Sequence, residues 1–246
     1  MDNISLEIPR HSFTVILGAN GSGKSTLLSV ASGVLKPFSG HVEILGKPLD
    51  YYSRRELART VSVLPQDTSV RFPFKCGDIV RMGRYPYKRR FHLPSTRDRE
   101  AVERAMSITD TAPLVDRLIT HTSGGEKQRV LIARVLAQET PLIMLDEPTS
   151  AMDVKWSLRV LAIMKGLCSK GLKTVLVVMH DINTAVQFCT HLVFLKKGRV
   201  FASGTVDEVL KPEILEQVYE APASIYRPPG FVRPQVIFSP DPDTAG

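Results

Sequence analysis

The residues Gly18-Ala19-Asn20-Gly21-Ser22-Gly23-Lys24-Ser25 stand between an apolar run, Phe13 to Leu17, and a stretch with helical apolar spacing, Lys24 to Ser32. Few folds accommodate all three pieces at once. A β-rich run that stops on a glycine reads as a buried strand. The spacing that follows stops near Gly33 and Pro37, as a helix would. Strand, glycine loop and helix in this order, with a glycine, four residues and then Gly-Lys-Ser, make the phosphate-loop pattern. Glycines let successive backbone N–H groups turn inward without a side-chain clash, and the helix N-terminus adds its positive end. The loop predicts an α/β phosphate-loop fold, with Lys24 at the β- and γ-phosphate oxygens and the Ser25 hydroxyl as a ligand for Mg²⁺. A glycine turn with an incidental lysine would leave the agreement of both flanks unexplained.

An acidic element downstream fits the same frame. Leu142-Ile143-Met144-Leu145 buries a strand and delivers Asp146 and Glu147 at its C-terminal end, where open α/β sheets hold ligands. Asp146 is a candidate to hold Mg²⁺ through water, and Glu147 to orient and polarise an attacking water. Two adjacent acids at a strand end are more often solvated surface, and it is the phosphate loop upstream that favours the catalytic reading. Thr174 to Met179 reads as a second parallel strand covered on both faces, with the helical stretch Trp156 to Cys168 before it. His41 to Leu45 and Val61 to Leu64 read as short strands. Leu192 to Leu195 and Val200 to Ala202 flank a glycine turn and predict a hairpin. From Phe72 to Gln138 the spacing is helical, with Ser95 and Asp98 as a capping pair. Thr205 and Glu208 cap one last helix ending near Tyr219, and six prolines after Ala221 predict an extended, partly disordered tail.

Composition removes other classes. With 246 residues, 43% hydrophobic and 23% charged, the chain can close a sizeable core and is neither a collagen, a coiled-coil rod nor a disordered chain. No apolar run approaches the roughly 20 residues of a membrane-spanning helix. Cys76, Cys168 and Cys189 lie far apart without a C-x-x-C pair, so no disulfide framework or zinc site is expected and a reducing cytoplasm is. The N-terminus lacks the order of a secretory signal. The net charge is +7, and ten Lys/Arg against four acids between Arg71 and Arg104 hold nearly all of the surplus. That segment reads as a solvated helical face or as a surface near anionic headgroups or an acidic partner. It lacks any nucleic-acid-binding pattern, so no nucleic acid is expected as a partner.

Thr122-Ser123-Gly124-Gly125-Glu126-Lys127-Gln128-Arg129, opening an amphipathic helix just before the acidic strand, narrows the field. Here the chain resembles the ATP-binding cassette (ABC) family, whose signature is Leu-Ser-Gly-Gly followed by Gln or Glu. Gln66 matches the family's Q-loop glutamine, Ser150-Ala151-Met152-Asp153 its D-loop and His180 its switch histidine. The resemblance implies an ATPase that uses ATP and Mg²⁺. It implies nucleotide contacts from Gly18 through Ser25 and Thr26, metal contacts from Ser25, Gln66 and Asp146, and catalytic roles for Glu147, His180 and Gln66. It further implies a head-to-tail homodimer in which Ser123, Gly124, Gly125 and Asp153 of one copy meet the ATP of the other. A serine hydroxyl and N–H groups at a helix N-terminus form a second anion site, which gives that signature a physical reason. Two departures stand out: Thr122 replaces the leucine, and only seventeen residues precede Gly18. The family's earlier strand, with an aromatic residue that stacks on adenine, is missing from them. Either the chain as given starts late or adenine is held without that platform, and a sheet edge is exposed.

Phosphate loop and signature lie about a hundred residues apart, which leaves no room for a long coiled coil. Asp78 to Tyr87, Glu56-Leu57-Ala58-Arg59 and Leu64-Pro65-Gln66 resemble the ATPase subunits of importers for iron-siderophores, haem and vitamin B12. The expectation is a single ABC domain over 1–246, with an α/β core at 1–70 and 140–220, a helical lobe at 71–139 and a Pro-rich tail at 221–246. The core is expected to be mainly parallel, with an antiparallel part near the N-terminus. The subunit would work peripherally at the cytoplasmic face of the cell (inner) membrane, with an integral membrane permease and, in the complete system, a substrate-binding protein. The competing reading is a soluble non-transport ABC ATPase, for instance in iron–sulfur assembly.

Overall fold

The computed structural model describes residues 1–67, 72–88 and 93–240. In chain order its elements begin with β1 (Phe13–Leu17), α1 (Lys24–Ala31), β2 (Glu43–Ile44), β3 (Lys47–Pro48), α2 (Arg54–Thr60) and β4 (Val61–Leu64). The middle of the chain forms α3 (Cys76–Met82), α4 (Thr96–Ile108), α5 (Gly124–Ala137), β5 (Leu142–Asp146) and α6 (Val154–Ser169). There follow β6 (Thr174–Val178), α7 (Ile182–Phe188), β7 (His191–Lys196), β8 (Arg199–Thr205), α8 (Val206–Val209), α9 (Pro212–Tyr219), β9 (Ala223–Tyr226) and β10 (Gln235–Phe238). The chain divides into two compact units, 1–29 with 161–246, and 30–160.

In the first unit β1 is the inner strand. It runs parallel to β6, with Phe13 opposite Val175, and parallel to β7, with Leu17 opposite Phe194. All five residues of β1 and of β6 are buried, as β-branched and aromatic side chains covered on both faces should be. β8 pairs antiparallel with β7 and bulges at Phe194/Leu195. It is the edge of this unit's strands, and its exposed and half-buried residues mostly alternate. Residues 1–12 contain no strand, and the Asp2 amide bonds the Gly198 carbonyl at 3.0 Å.

In the second unit β4 and β5 pair parallel, Val61 opposite Leu142 through Leu64 opposite Leu145. β2 and β3 form a small antiparallel pair, shorter than the strand expected over 41–45. Among the described residues of 72–138 the helical reading is met by α3, α4 and α5 with three 3₁₀ turns. Ser95 and Asp98 close the expected capping box on α4, and Ser53 and Glu56 close another on α2.

Two C-terminal expectations change. One helix after Thr205 becomes α8 and α9, because Pro212 cannot continue a helix but suits the first turn of a new one. The proline-rich stretch forms an antiparallel hairpin, Ala223 opposite Phe238 and Tyr226 opposite Gln235. Its prolines, Pro228, Pro229 and Pro234, fall between the two strands, where no ladder hydrogen bond is lost. Residues 241–246 lie outside the described residues.

Candidate functional site

The phosphate loop is built around one close approach. Gly18 has φ +149°, and a Cβ there would stand 2.2 Å from the Leu195 carbonyl oxygen at the end of β7, so only glycine fits. Gly21 and Gly23 are also left-handed, at φ +75° and +100°, which turns the loop over the start of α1. Ala19, Asn20 and Gly21 form its exposed tip. Lys24 is 6% exposed, and its Nζ donates to the carbonyls of Gly18 and Ala19 at 2.9 and 3.0 Å. Its charge is thus carried inside the loop rather than into solvent. The buried Ser22 hydroxyl has no hydrogen-bond partner among the described residues. Leaving such a group unpaired costs about 1–3 kcal/mol, a cost that a site shaped for polar oxygens can recover. Ser25 is half-buried and Thr26 exposed, in the first turn of α1.

His180 is exposed, just beyond β6. The next residue, Asp181, caps α7 and accepts the Asn183 amide at 3.0 Å.

In the other unit strand register does the positioning. Because Leu64 lies opposite Leu145, the residues two further on, Gln66 and Glu147, emerge at the same strand end. Gln66 Nε2 donates to Glu147 Oε1 at 2.9 Å. Asp146 is the last residue of β5 and is 4% exposed. Glu147 has φ +48°, a left-handed conformation that costs a non-glycine residue roughly 1–2 kcal/mol. Such strain gathers where a side chain must be aimed.

The signature residues open α5. Ser123 is the N-cap: its hydroxyl accepts the Glu126 amide at 3.2 Å while Glu126 Oε2 accepts the Ser123 amide at 2.8 Å. The same hydroxyl lies against the Glu126 carboxyl, so the cap closes on itself. Ser123 and Gly124 are exposed and Gly125 half-buried. A Cβ on Gly125 would come within 3.3 Å of the Ala151 carbonyl, so the turn packs closely on the Ser150–Asp153 segment. Asp153 Oδ1 accepts the Trp156 amide at 2.8 Å and so caps α6. Ser123, Gly125, Asp153, Trp156, Arg117 and Arg129 help to line a cleft of about 470 Å³. The amide of Ser123, bonded to Glu126, holds that carboxyl below its ordinary value. Thr122 turns its hydroxyl back onto the Ile119 carbonyl at 2.7 Å, which accounts for a polar residue at the leucine position.

The basic segment changes character. Arg84 is 2% exposed; its guanidinium donates to Asp98 at 2.8 Å, to Glu139 at 3.0 Å and to the Ala137 carbonyl at 2.8 Å, and stacks on Tyr87. Lys75 pairs with Asp116, Arg81 with Asp78, and Arg104 with Glu139. Counting charges along the sequence could not anticipate this, because the partners of Arg84 lie 14 and 55 residues away. Arg71, Arg89 and Arg90 lie outside the described residues. Sequence reading also passed over Asn183, whose amide side chain bonds the backbone of β10; a lone asparagine in a helix's first turn carries no signal of that.

Residues 1–150 match the family model described as ABC transporter. The chain belongs to the ABC transporter family. The iron(3+)-hydroxamate import ATP-binding protein FhuC of Bacillus subtilis is 35% identical over 95% of this chain and 87% of its own length. A solved ABC transporter in an inward-facing conformation aligns with a TM-score of 0.81 at 28% identity, covering 95% of this chain and 90% of that one. A dimeric ATP-binding cassette in a post-hydrolysis state, bound to ADP and phosphate, aligns with a TM-score of 0.72 at 29% identity over 83% and 89%. The fold is thus that of an ABC cassette, and the protein is the ATP-binding, ATP-hydrolysing subunit of an ABC transporter. Among the described residues no helix of this ABC ATPase is long and apolar enough to cross a membrane.

Proposed function

We propose that this ATPase works as a pair of identical copies that close head to tail on ATP and thereby drive a separate membrane permease. The exposed signature turn carries the dimer reading: Ser123 and Gly124 stand open to solvent at the N-terminus of α5. In this reading Gly18 to Thr26 of one copy hold the triphosphate, with Lys24 as the mobile cation. Ser123, Gly124 and Gly125 of the second copy take the γ-phosphate oxygens, and Asp153 keeps the adjoining turn in place by capping α6. ATP then joins the copies, and cleavage of the shared phosphate loosens them.

The donor set suits a hard cation: a hydroxyl at Ser25, a carboxylate at Asp146 and an amide oxygen at Gln66, which is the oxygen chemistry that Mg²⁺ takes together with substrate phosphates. When bound, the ion would neutralise charge developing on the phosphates. Glu147 acts as general base toward the attacking water. The Gln66 amide aims its carboxylate at 2.9 Å, and the left-handed backbone at Glu147 keeps it turned out of the strand direction. His180 steadies the γ-phosphate and Glu147 during turnover. In importers the run after Gln66 receives a permease helix, and this assigns α3 and the turn at Tyr85–Tyr87 to the same task. The cargo in this reading is an iron chelate, a siderophore or haem, or vitamin B12, entering with the help of a substrate-binding protein. The likeness to an iron(3+)-hydroxamate import subunit supports it. The ATPase would sit peripherally on the cytoplasmic face of the cell (inner) membrane.

Glu147→Gln tests the reading most directly. It should bind ATP, run as a dimer on size exclusion with light scattering, and hydrolyse at least about a hundredfold more slowly, the usual worth of a general base. A monomer at saturating ATP would overturn the sandwich, and wild-type turnover would remove Glu147 from its role.

A further inference from the structure

The last turn of α9 stands behind the phosphate loop. Lys196, at the end of β7, donates to the Gln217 carbonyl and pairs with Glu220 at 2.9 Å, so the chain on both sides of Tyr219 is tied to that strand end. The residue before it, Leu195, presents the carbonyl that a Cβ on Gly18 would meet at 2.2 Å. Tyr219 is thereby brought to the loop's first glycine. Its ring meets that of Phe238 in β10 edge-on, with 5.1 Å between centroids. Its hydroxyl is shielded from solvent and completes no hydrogen bond among the described residues. Even so it lies against the Gly18 backbone: burial pushes the phenol up to about 12, and the Gly18 amide pulls the other way.

Burying a hydroxyl without a well-formed hydrogen bond costs about 1–3 kcal/mol. A phenylalanine would fill the same space against Phe238 without that cost. Packing therefore does not account for the oxygen, and its neighbour Gly18 does. The loop has other supports: the Gly198 amide donates to the Ser22 carbonyl at 3.1 Å, and Lys24 Nζ holds the carbonyls of Gly18 and Ala19 at 2.9 and 3.0 Å. Of these, the hold by Lys24 is the one for which a triphosphate competes, because in the reading above the ammonium serves the β- and γ-oxygens. As Lys24 turns to phosphate, the carbonyl side of Gly18 is released. The phenol on its amide side then carries more of the restraint, in surroundings where a hydrogen bond is stronger than in water. A contact that is stronger with ligand than without it raises affinity.

We propose that Tyr219 is a positioning residue for the phosphate loop, its buried hydroxyl keeping the Gly18 amide in place while Lys24 is engaged with a triphosphate. This rests on the reading of Gly18 to Thr26 as the triphosphate cradle. Tyr219 acts through the backbone rather than on the phosphates, so its effect falls on ATP affinity more than on cleavage.

The test combines equilibrium titration with ATP, steady-state ATPase kinetics and thermal melting of the full chain. Tyr219→Phe removes one oxygen and leaves the ring. It should raise Kd and KM for ATP about three- to tenfold, the scale of one hydrogen bond, with kcat lowered by less than about twofold and the melting temperature without nucleotide equal or higher. Phe238→Ala loosens the ring and should raise Kd about threefold alone but less than about 1.5-fold beside Tyr219→Phe, since the oxygen it steers has gone. A folded Tyr219→Phe with wild-type affinity overturns the proposal. So does an affinity loss that comes with a lower melting temperature without nucleotide, which would assign the tyrosine to packing, and so does an undiminished effect of Phe238→Ala beside Tyr219→Phe. Lys24→Ala keeps the two readings apart. If it binds ATP normally, the cradle reading falls and the proposal with it; if it binds weakly while Tyr219→Phe is silent, the proposal falls alone.

Discussion

Two helix N-termini in this ATPase carry the turns proposed above to hold phosphate, and they are built differently. The phosphate loop is closed by a backbone contact so tight that Gly18 admits no side chain, and it buries its own cation, Lys24. The signature turn is open: Ser123 and Gly124 face solvent, and the Ser123 hydroxyl serves as a helix cap. The first carries the parts for holding a triphosphate by itself. The second offers a hydroxyl and helix amides, with Arg117 and Arg129 lining the same cleft, which in the proposed reading is a surface completed by a ligand that another copy brings.

Breaking the first cradle should have the larger effect. Lys24→Ala removes the only lysine within the loop and should weaken ATP binding by the isolated protein at least about tenfold by equilibrium titration, the scale of a lost charge-assisted hydrogen bond. Unchanged affinity would deny the loop its role. Ser123→Ala should instead leave equilibrium affinity of the monomer intact and reduce turnover and ATP-dependent dimerisation by about tenfold. If affinity and turnover fall together, the two cradles are not the separate devices described here. The smallest effect concerns acid. The Ser123 amide holds the Glu126 carboxyl below its ordinary value of 4.5, so the cap contributes stability that is fully present above pH 4.5. That contribution fades as pH falls through the depressed value. Glu126→Gln, which can still accept from Ser123, should flatten this part of the melting-temperature profile below pH 4.5, and an unaltered profile would mean that the cap does not titrate with folding.

How much of this was legible beforehand depended on whether the cause was local. Ser95 with Asp98 and Thr205 with Glu208 were readable because a capping box is three residues long and closes on itself. β1, β5 and β6 were readable because strands covered on both faces are continuous apolar runs. Arg84 was not. Its neighbours in sequence are basic, and its partners arrive from the start of α4 and the end of α5. A cation 2% exposed between two carboxylates is structural support, so its charge cannot be spent on a membrane surface. The tail misled for a related reason: proline content reports where a ladder cannot form, and is silent about the strands on either side.

What could be known from the order of residues was the set of chemical groups and their order along the chain. Glycine spacing, capping pairs and apolar period are short-range properties, set within a few residues by backbone sterics and hydrogen-bond closure. Which of those groups meet was decided by the fold. The Gln66 to Glu147 contact spans 81 residues and exists because one strand register aligns two ends. The clasp between Asn183 and Val236 spans 53 and depends on a hairpin packing against a short helix. Such contacts form only after the intervening chain has paid its loop-closure entropy through burial elsewhere, and no local pattern records that exchange.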